Sequence, residues 1–479
     1  MSDTVSRPRI STVSEIITKR EQLDLPFGEK SPFPLAHLRS EGAREIFALD
    51  RERQLIITTD RQYAFGQEMA QGIPLKGRVS VALSNLVFSL TSGIVQNHVV
   101  RTDMSDAFDG AGKYLHLLNG RSVVVTKTEP MPFDCVVRGY IYGSSWKGYK
   151  YKNYDGTVWG VQLSPGLQNG SKLEVPIFTP VIKNRAGFDE DVPLADIRYN
   201  LPRGTAGQIR ETSIALYKNM AQFAEKSGLI LADARFRFGL VDGKLMLIDT
   251  GIASDSSQLW CAKNYKVGED QKSLNDMQFL NAWLRGSCRW TEDAQKQGVA
   301  APLLPPEMIA TAAGKYVQAY NMFTGKDPRT VAIIMGSTSD SKVAIEAATV
   351  LEKLGVWFGI KVLSAHRKPR GLRSLLAEIE ADPYVSLYIT VAGLAAHLSG
   401  SVAAWTVKPV IGVPAKGELS VLDGLDAVMS MIQMAPGVPL GAVGPVNNGK
   451  NAGIYAAQLL AMNDPELRAR LRETIRKEE

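Results

Sequence analysis

Val331-Ala332-Ile333-Ile334-Met335-Gly336-Ser337-Thr338-Ser339-Asp340 is the stretch that decides the fold. An apolar run ends abruptly in glycine and hydroxyl side chains, and a helix-periodic segment, Lys342–Leu354, follows. A short apolar run without alternation reads as a strand buried on both faces, the strand type of parallel sheets. The pattern repeats outward. Strands are expected at Trp357–Leu363, Val385–Val391, Val410–Val413 and Leu440–Val443. Between and after them come helices at Arg370–Glu380, Ala395–Val407, Leu422–Met434, Lys450–Met462 and Pro465–Lys477. Such alternation predicts a three-layer α/β domain with a parallel sheet.

In an open α/β sheet, ligands bind beyond the carboxyl ends of the strands. Three polar segments fall there: Gly336–Asp340, Ser364-Ala365-His366-Arg367, and Gly393-Leu394-Ala395-Ala396-His397-Leu398. The first has two readings. Its small residues and the helix that follows can cradle a phosphate, or Ser339 and Asp340 simply cap that helix. Arg367 adds a donor fork suited to phosphate and His366 a proton-transfer group. A lone histidine is often structural, but His366 and His397 are two of only five in the chain and sit at neighbouring strand ends.

Composition narrows the class. The chain has 479 residues, 45% hydrophobic and 22% charged, enough for more than one core. A net charge of +6 with both signs interspersed argues against nucleic acid as the partner and for a phosphorylated small molecule. Cys135, Cys261 and Cys288 have no metal-ligand spacing, so no metal site and a reducing, cytoplasmic location are expected. Neither a signal-peptide pattern nor an apolar run of membrane length is found, so no membrane partner is expected.

Ahead of this domain the pattern changes. Residues 1–35 read as a polar extension, helical around Ser14–Leu23. A hairpin is expected over Ala43–Asp60, and strands at Ser122–Lys127, Asp134–Tyr142, Ala234–Val241 and Lys244–Asp249, the last two joined by Asp242-Gly243. Helices are expected at Gly77–Gly93, Ala206–Ser227, Asp276–Arg285 and Pro306–Met322. Strand clusters set apart from helix clusters predict an α+β domain over 36–323, with a linker at 324–329.

The carboxy-terminal motifs carry a resemblance. Gly336-Ser-x-Ser-Asp340, Ser364-Ala-His-Arg367, Ala392-Gly-x-Ala-Ala-His-Leu-x-Gly400, Gly412-Val-Pro414, Gly424-Leu-Asp426 and Gly437-Val-Pro439 occur in order. Residues 330–479 thereby resemble the AIR carboxylase and mutase family of purine synthesis, a flavodoxin- or Rossmann-like fold. Ser-Ala-His-Arg and Ala-Ala-His-Leu are the motifs of its mutase branch, which converts N5-carboxyaminoimidazole ribonucleotide to the 4-carboxy isomer. The resemblance implies His366 as proton shuttle and His397 as a second catalytic group beside the CO2 held in the pocket. It implies nucleotide contacts from Gly336, Ser337, Ser339, Asp340, Ser364, Ala365, Arg367, Gly393 and Leu398, no cofactor, and a homo-octamer with pockets between subunits.

Residues 36–323 resemble SAICAR synthetase, the ligase that joins aspartate to the carboxylated nucleotide. The match rests on Thr59-Asp60-Arg61, Ile73-Pro-x-Lys-Gly77, Val136-Val-Arg-Gly-Tyr-Ile141, Gly143-Ser-x-Trp-Lys147, Pro176-Ile-Phe-Thr-Pro180, Asp255-Ser-Ser257 and Tyr265-x-Val-Gly268. It implies nucleotide binding by Arg138, Ser144, Ser145, Lys147 and Asp249, and ATP with Mg2+ if ligation occurs. Departures cluster on the ATP side. The family's Gly-Lys-x-Arg-Asp-Ile-Tyr is Glu41-Gly-Ala-Arg-Glu-Ile-Phe47 here, and Ser-Ala-Tyr-Asp is Tyr63-Ala-Phe-Gly66. Lys-Phe-Glu-Phe-Gly is Arg235-Phe-Arg-Phe-Gly239, Asp-Glu is Asp249-Thr250, and Asp-Ser-Ser-Arg ends in Gln258. Three readings follow: carboxylation with a SAICAR synthetase-like domain that does not ligate but serves as scaffold or binder; a fully bifunctional carboxylase and ligase; or a homologue serving specialised nucleoside metabolism.

Overall fold

The computed structural model describes residues 33–476 apart from 152–156, 184–188, 198–200, 203, 253–256, 272, 275, 327–328 and 418. The expected helix at Ser14–Leu23, most of the extension, Asp327 and Pro328 of the linker, and Asp255-Ser256 lie outside the described residues. The chain divides into two compact units, one of Asp24–Arg101 with Val123–Lys326, the other of Thr102–Ser122 with Asp327–Glu479.

Among the described residues the first unit contains, besides two two-stranded hairpins (Tyr63–Ala64 with Gln67–Glu68 and Thr157–Val158 with Val161–Gln162), two large antiparallel sheets. One runs in the order His37–Glu41, Arg44–Ala48, Arg53–Thr58, Ser122–Thr126, Val99–Arg101. The other runs Asp189–Asp191, Lys172–Lys183, Asp134–Tyr140, Leu229–Val241, Lys244–Asp249, with Gln258–Cys261 and Glu129–Pro130 also pairing on Leu229–Val241. The Asp134–Tyr140 strand lies between two partners and is buried at every position. Two strand readings needed extension. Lys172–Lys183 was not expected, because Pro176 and Pro180 argue against an interior strand. Its ladder shifts register between Lys172 and Ile177, and Pro176 lies at that irregularity, while Pro180 pairs in register with Cys135. Leu229–Val241 begins five residues before the expected Ala234. Gly66 stands at φ +83 in the two-residue turn between Tyr63–Ala64 and Gln67–Glu68, a conformation that explains glycine where the family has an acid.

The second unit is the expected parallel sheet. Its order is Trp357–Val362, Thr330–Met335, Val385–Gly393, Val410–Ala415, Gly441–Ala442. The first strand in sequence therefore lies second in space, and the order reverses between it and Val385–Gly393. That reversal is the topological switch point where ligands bind. Val331, Ile333, Ile334, Tyr388, Ile389 and Val391 are essentially fully buried, as strands covered by helices on both faces require. Two helices are shorter than expected for a backbone reason. Leu394 and Ala396 take φ 55° and 40°, so that helix starts at His397; Asp423 and Gly424 take φ 55° and 89°, so the next starts at Leu425.

The segment Thr102–Ser122 packs in this unit although the fold pattern had assigned it to the first domain. Asn119, 2% exposed, accepts from Phe358 N at 3.0 Å and donates to Val356 O at 3.2 Å and to the buried Glu352 carboxylate. Glu352 also accepts from Met104 N at 3.1 Å. A buried carboxylate demands such partners.

Candidate functional site

In the parallel-sheet unit, the three expected segments meet at the switch point. Gly336 N donates to Val391 O at 3.0 Å, which ties the first loop to the neighbouring strand. Ser337 caps the turn Thr338–Asp340 with its hydroxyl accepting from Ser339 N at 3.3 Å, and Asp340 accepts from Ser337 N at 3.1 Å. The capping reading holds: the loop is a capping box, and the 13-residue helix Ser341–Lys353 starts directly behind it. Ser339 also donates to Asp340 at 3.2 Å. Burial raises the Asp340 carboxyl above its ordinary range, offset in part by those two donors.

Across the switch point, His366 Nε2 lies 2.6 Å from His397 Nδ1, with the rings edge to face at 85°. Both histidines are exposed, as are Ser339 and Arg367, while Ser337 and Ser364 are partly covered. Ser364 Oγ accepts from Arg367 N at 3.2 Å and shapes the turn that carries His366. Gly393 is required by close approach: a Cβ there would stand 2.7 Å from Ala415 O. Leu398 is 3% exposed and packs in the core below Gly336, and Ala365 packs against the same core. Their side chains support the loops, which leaves only their backbone to face a ligand.

The candidates of the first unit separate into two groups. Arg138, 7% exposed, is held by Thr179 Oγ1 at 3.0 Å and Asp191 Oδ1 at 2.5 Å, and lies 5.0 Å over the Trp159 ring. Ser144 reaches the same Asp191 at 3.3 Å, and Lys147 is exposed on the same helix. Ser145 is fully buried, and its hydroxyl donates to Tyr142 O at 2.7 Å and accepts from Tyr142 N at 3.0 Å, a local turn bond. Asp249 belongs to the second group.

That second group was only partly visible in the sequence. Asp134 has both carboxylate oxygens taken, Oδ1 by Arg237 Nε at 2.5 Å and Oδ2 by Arg235 Nη1 at 3.0 Å. Arg235 Nη1 also reaches Asp189 at 2.8 Å, and Arg44 Nη1 holds Asp249 at 2.8 Å. Burial alone would raise the Asp249 carboxyl; Arg44 and then Arg237 outweigh it and hold it down at about 2. His98, 6% exposed, lines the same wall, and burial followed by Arg44 pushes its imidazole down to about 4. Asp134 and His98 were missed. The available signal was a charged residue at the start of an otherwise apolar strand. Asp134 and Arg138 share one face of that strand, four residues apart, so the two groups line one surface.

The resemblance implies ATP and Mg2+ in this unit. Magnesium takes carboxylate oxygens and keeps its waters. Here the carboxylates are already paired to guanidinium groups, which repel a cation, and among the described residues no group of three or more His, Cys, Asp or Glu side chains could hold a metal ion. The residues present do not fit magnesium.

An antiparallel unit with a charged cleft, joined to a parallel-sheet unit with paired histidines at its switch point, defines a two-part enzyme. The chain belongs to the SAICAR synthetase family, whose model matches residues 38–297, and carries an AIR carboxylase domain at residues 330–479. It is 38% identical over 299 residues to the phosphoribosylaminoimidazole-succinocarboxamide synthase of Geobacter metallireducens, covering 62% of this chain and 97% of that protein. To the enzyme of the same name from Cupriavidus taiwanensis it is 40% identical over 286 residues, covering 59% and 92%. The SAICAR synthase of Saccharomyces cerevisiae, solved in complex with SAICAR, superposes with a TM-score of 0.54 at 31% identity, covering 61% of this chain and 96% of that one. Among the described residues no helix is long and apolar enough to cross a membrane.

Proposed function

We propose that this chain carboxylates an imidazole ribonucleotide at C4 in its parallel-sheet unit and joins aspartate to the product in its SAICAR synthetase unit. The observation that carries the first half is the 2.6 Å contact between His366 and His397 beside the Gly336–Asp340 loop. The substrate is N5-carboxyaminoimidazole ribonucleotide, as the mutase motifs imply. Its phosphate lies on Ser337, Ser339, Ser364 and Arg367, and its ribose hydroxyls near Asp340. His366 protonates N5 as the carbamate releases CO2, and the confined CO2 re-adds at C4, where the same imidazole removes the proton. Confinement replaces a bimolecular encounter by a near-neighbour one, and one group working in both directions balances the proton. No cofactor is needed. The exposed histidines are consistent with a pocket completed by a second copy in a homo-octamer, in a cytoplasmic protein with three free thiols.

For the second half, support comes from relatives of the same name matched over nearly their whole length. That weight outruns the doubt raised by the substitutions near Ala43, Gly66, Arg237 and Thr250. Arg138, Ser144 and Lys147 hold the carboxylated nucleotide. A second reading, in which this unit binds nucleotide without ligating, is favoured by one observation, the guanidinium pairing of Asp134 and Asp249.

The test is an assay of the whole chain on aminoimidazole ribonucleotide and on its N5-carboxylated form, with ATP and aspartate added in separate arms. Conversion of the N5-carboxylated form without ATP is expected; its absence overturns the carboxylation reading. Formation of SAICAR on adding ATP and aspartate separates ligation from mere binding.

A further inference from the structure

Two adjoining cavities of about 260 and 250 Å³ share the wall formed by Arg44, Asp249, Asp134 and Arg237. They differ in character. The first is lined largely by apolar side chains, Ile46, Ile56, Val125 and Phe133 among them; the second carries Lys76, Ser80, Ser84 and Arg235. A flat heterocycle suits the first, and an anionic chain suits the boundary between them.

Cations outnumber carboxylates at that boundary. Together the cavities present six cationic side chains (Arg39, Arg44, Lys76, Lys183, Arg235, Arg237) against four carboxylates, Glu41, Asp134, Asp189 and Asp249. Among the described residues, Arg237 uses only Nε, in its bond to Asp134, and Arg235 only Nη1, in its bonds to Asp134 and Asp189. A guanidinium has five N–H donors, so most of the two forks remain for a ligand. Asp134 holds both arginines in place, which reduces the ordering cost of a phosphate contact.

We propose that in this pocket, where the resemblance places ATP, the guanidinium groups of Arg237, Arg235 and Arg44 meet the phosphates in place of a divalent cation. The inference deepens the ligase reading, since it rests on this unit handling a nucleotide, and it specifies how the charge is met. Guanidinium binds phosphate by charge-assisted, often bidentate hydrogen bonds. Arg237 is more firmly protonated than usual, because Asp134 outweighs the effect of burial, so the charge does not depend on pH in the working range.

The test is calorimetric titration of the full chain with ADP, and separately with inorganic pyrophosphate and inorganic phosphate, in excess EDTA and in saturating Mg2+. ADP is expected to bind in EDTA, with Mg2+ changing Kd by less than about twofold, and added salt weakening it. ADP is expected to bind more tightly than pyrophosphate, and pyrophosphate more tightly than phosphate; equal affinities would remove the nucleoside from the assignment. Arg237→Gln is expected to weaken ADP in EDTA by about tenfold, with its thermal melt reporting that the fold is intact. Arg237→Glu should bind ADP only when Mg2+ is added. Tightening of the unmodified chain by about tenfold or more with Mg2+ overturns the proposal, as does no binding in either buffer. ADP binding in EDTA without SAICAR formation would sink the ligase reading and leave this one standing.

Discussion

His366 Nε2 and His397 Nδ1 face each other at 2.6 Å across the switch point of the parallel sheet. One nitrogen must donate and the other accept, so at least one of the two rings is neutral in this arrangement. A pair that shares a proton in this way holds one imidazole ready to accept while the other stays fixed.

Replacing His366 by Asn is expected to lower carboxylation by about 10²- to 10⁴-fold, the range for losing a general acid–base group. His397→Asn should lower kcat with less effect on nucleotide affinity if, as its contact with His366 suggests, it positions that ring beside the CO2 space. Steady-state kinetics with both variants check this; full turnover by His366→Asn removes it from the mechanism.

His98 supplies a pH test of the first unit. Burial and Arg44 hold its imidazole down at about 4 against an ordinary 6.5. The unfolded chain therefore takes up a proton below 6.5 that the folded one refuses. The stabilisation is complete above that value and is lost as pH falls from 6.5 towards 4, by about 3 kcal/mol in all. Denaturant melts between those pH values should show the slope, and His98→Gln should flatten it.

Asn119 is expected to be a large stability site of the second unit. Its side chain satisfies Phe358 N, Val356 O and Glu352 at once. Asn119→Ala leaves three buried polar groups short of a partner, at about 1 to 3 kcal/mol each before relaxation. Thermal melting of the variant should show a marked loss; a change within a few tenths of a kcal/mol would mean that water takes over the bonds.

The second unit also exposes large apolar side chains: Val407 at 94%, Val421 at 87% and Leu419 at 79%, with Leu422, Leu425 and Ile432 over half exposed. Exposed apolar side chains of this size mark a candidate interaction surface. If they build the proposed octamer, Val421→Glu should shift the sedimentation mass towards smaller species and lower carboxylation together. An unchanged mass would assign the face to something else.

The parallel-sheet domain was legible because its signals are local. Apolar runs of strand length, helical periodicity, and polar turns at strand ends are all properties of neighbouring residues, and they located Ser337, His366 and His397 correctly at the carboxyl ends. The motifs also named both families whose models match. Harder were the features that depend on distant partners. Lys172–Lys183 joined a sheet despite Pro176 and Pro180, because Pro176 falls where the ladder breaks and Pro180 lies just before the second partner strand begins to pair at Val181.

Sequence by itself thus determined the two folds, the strand-end loops and the identity of the histidines. Only the tertiary structure decided that His366 and His397 touch, since the strands that carry their loops, Trp357–Val362 and Val385–Gly393, flank Thr330–Met335 without pairing with each other, and the loops meet beyond its end. It alone decided that Asp134 is the anchor of Arg235 and Arg237, because charge pairing depends on distance through space. It also decided that Thr102–Ser122 packs with the parallel sheet, because the buried Glu352 carboxylate takes its hydrogen-bond donors from that segment.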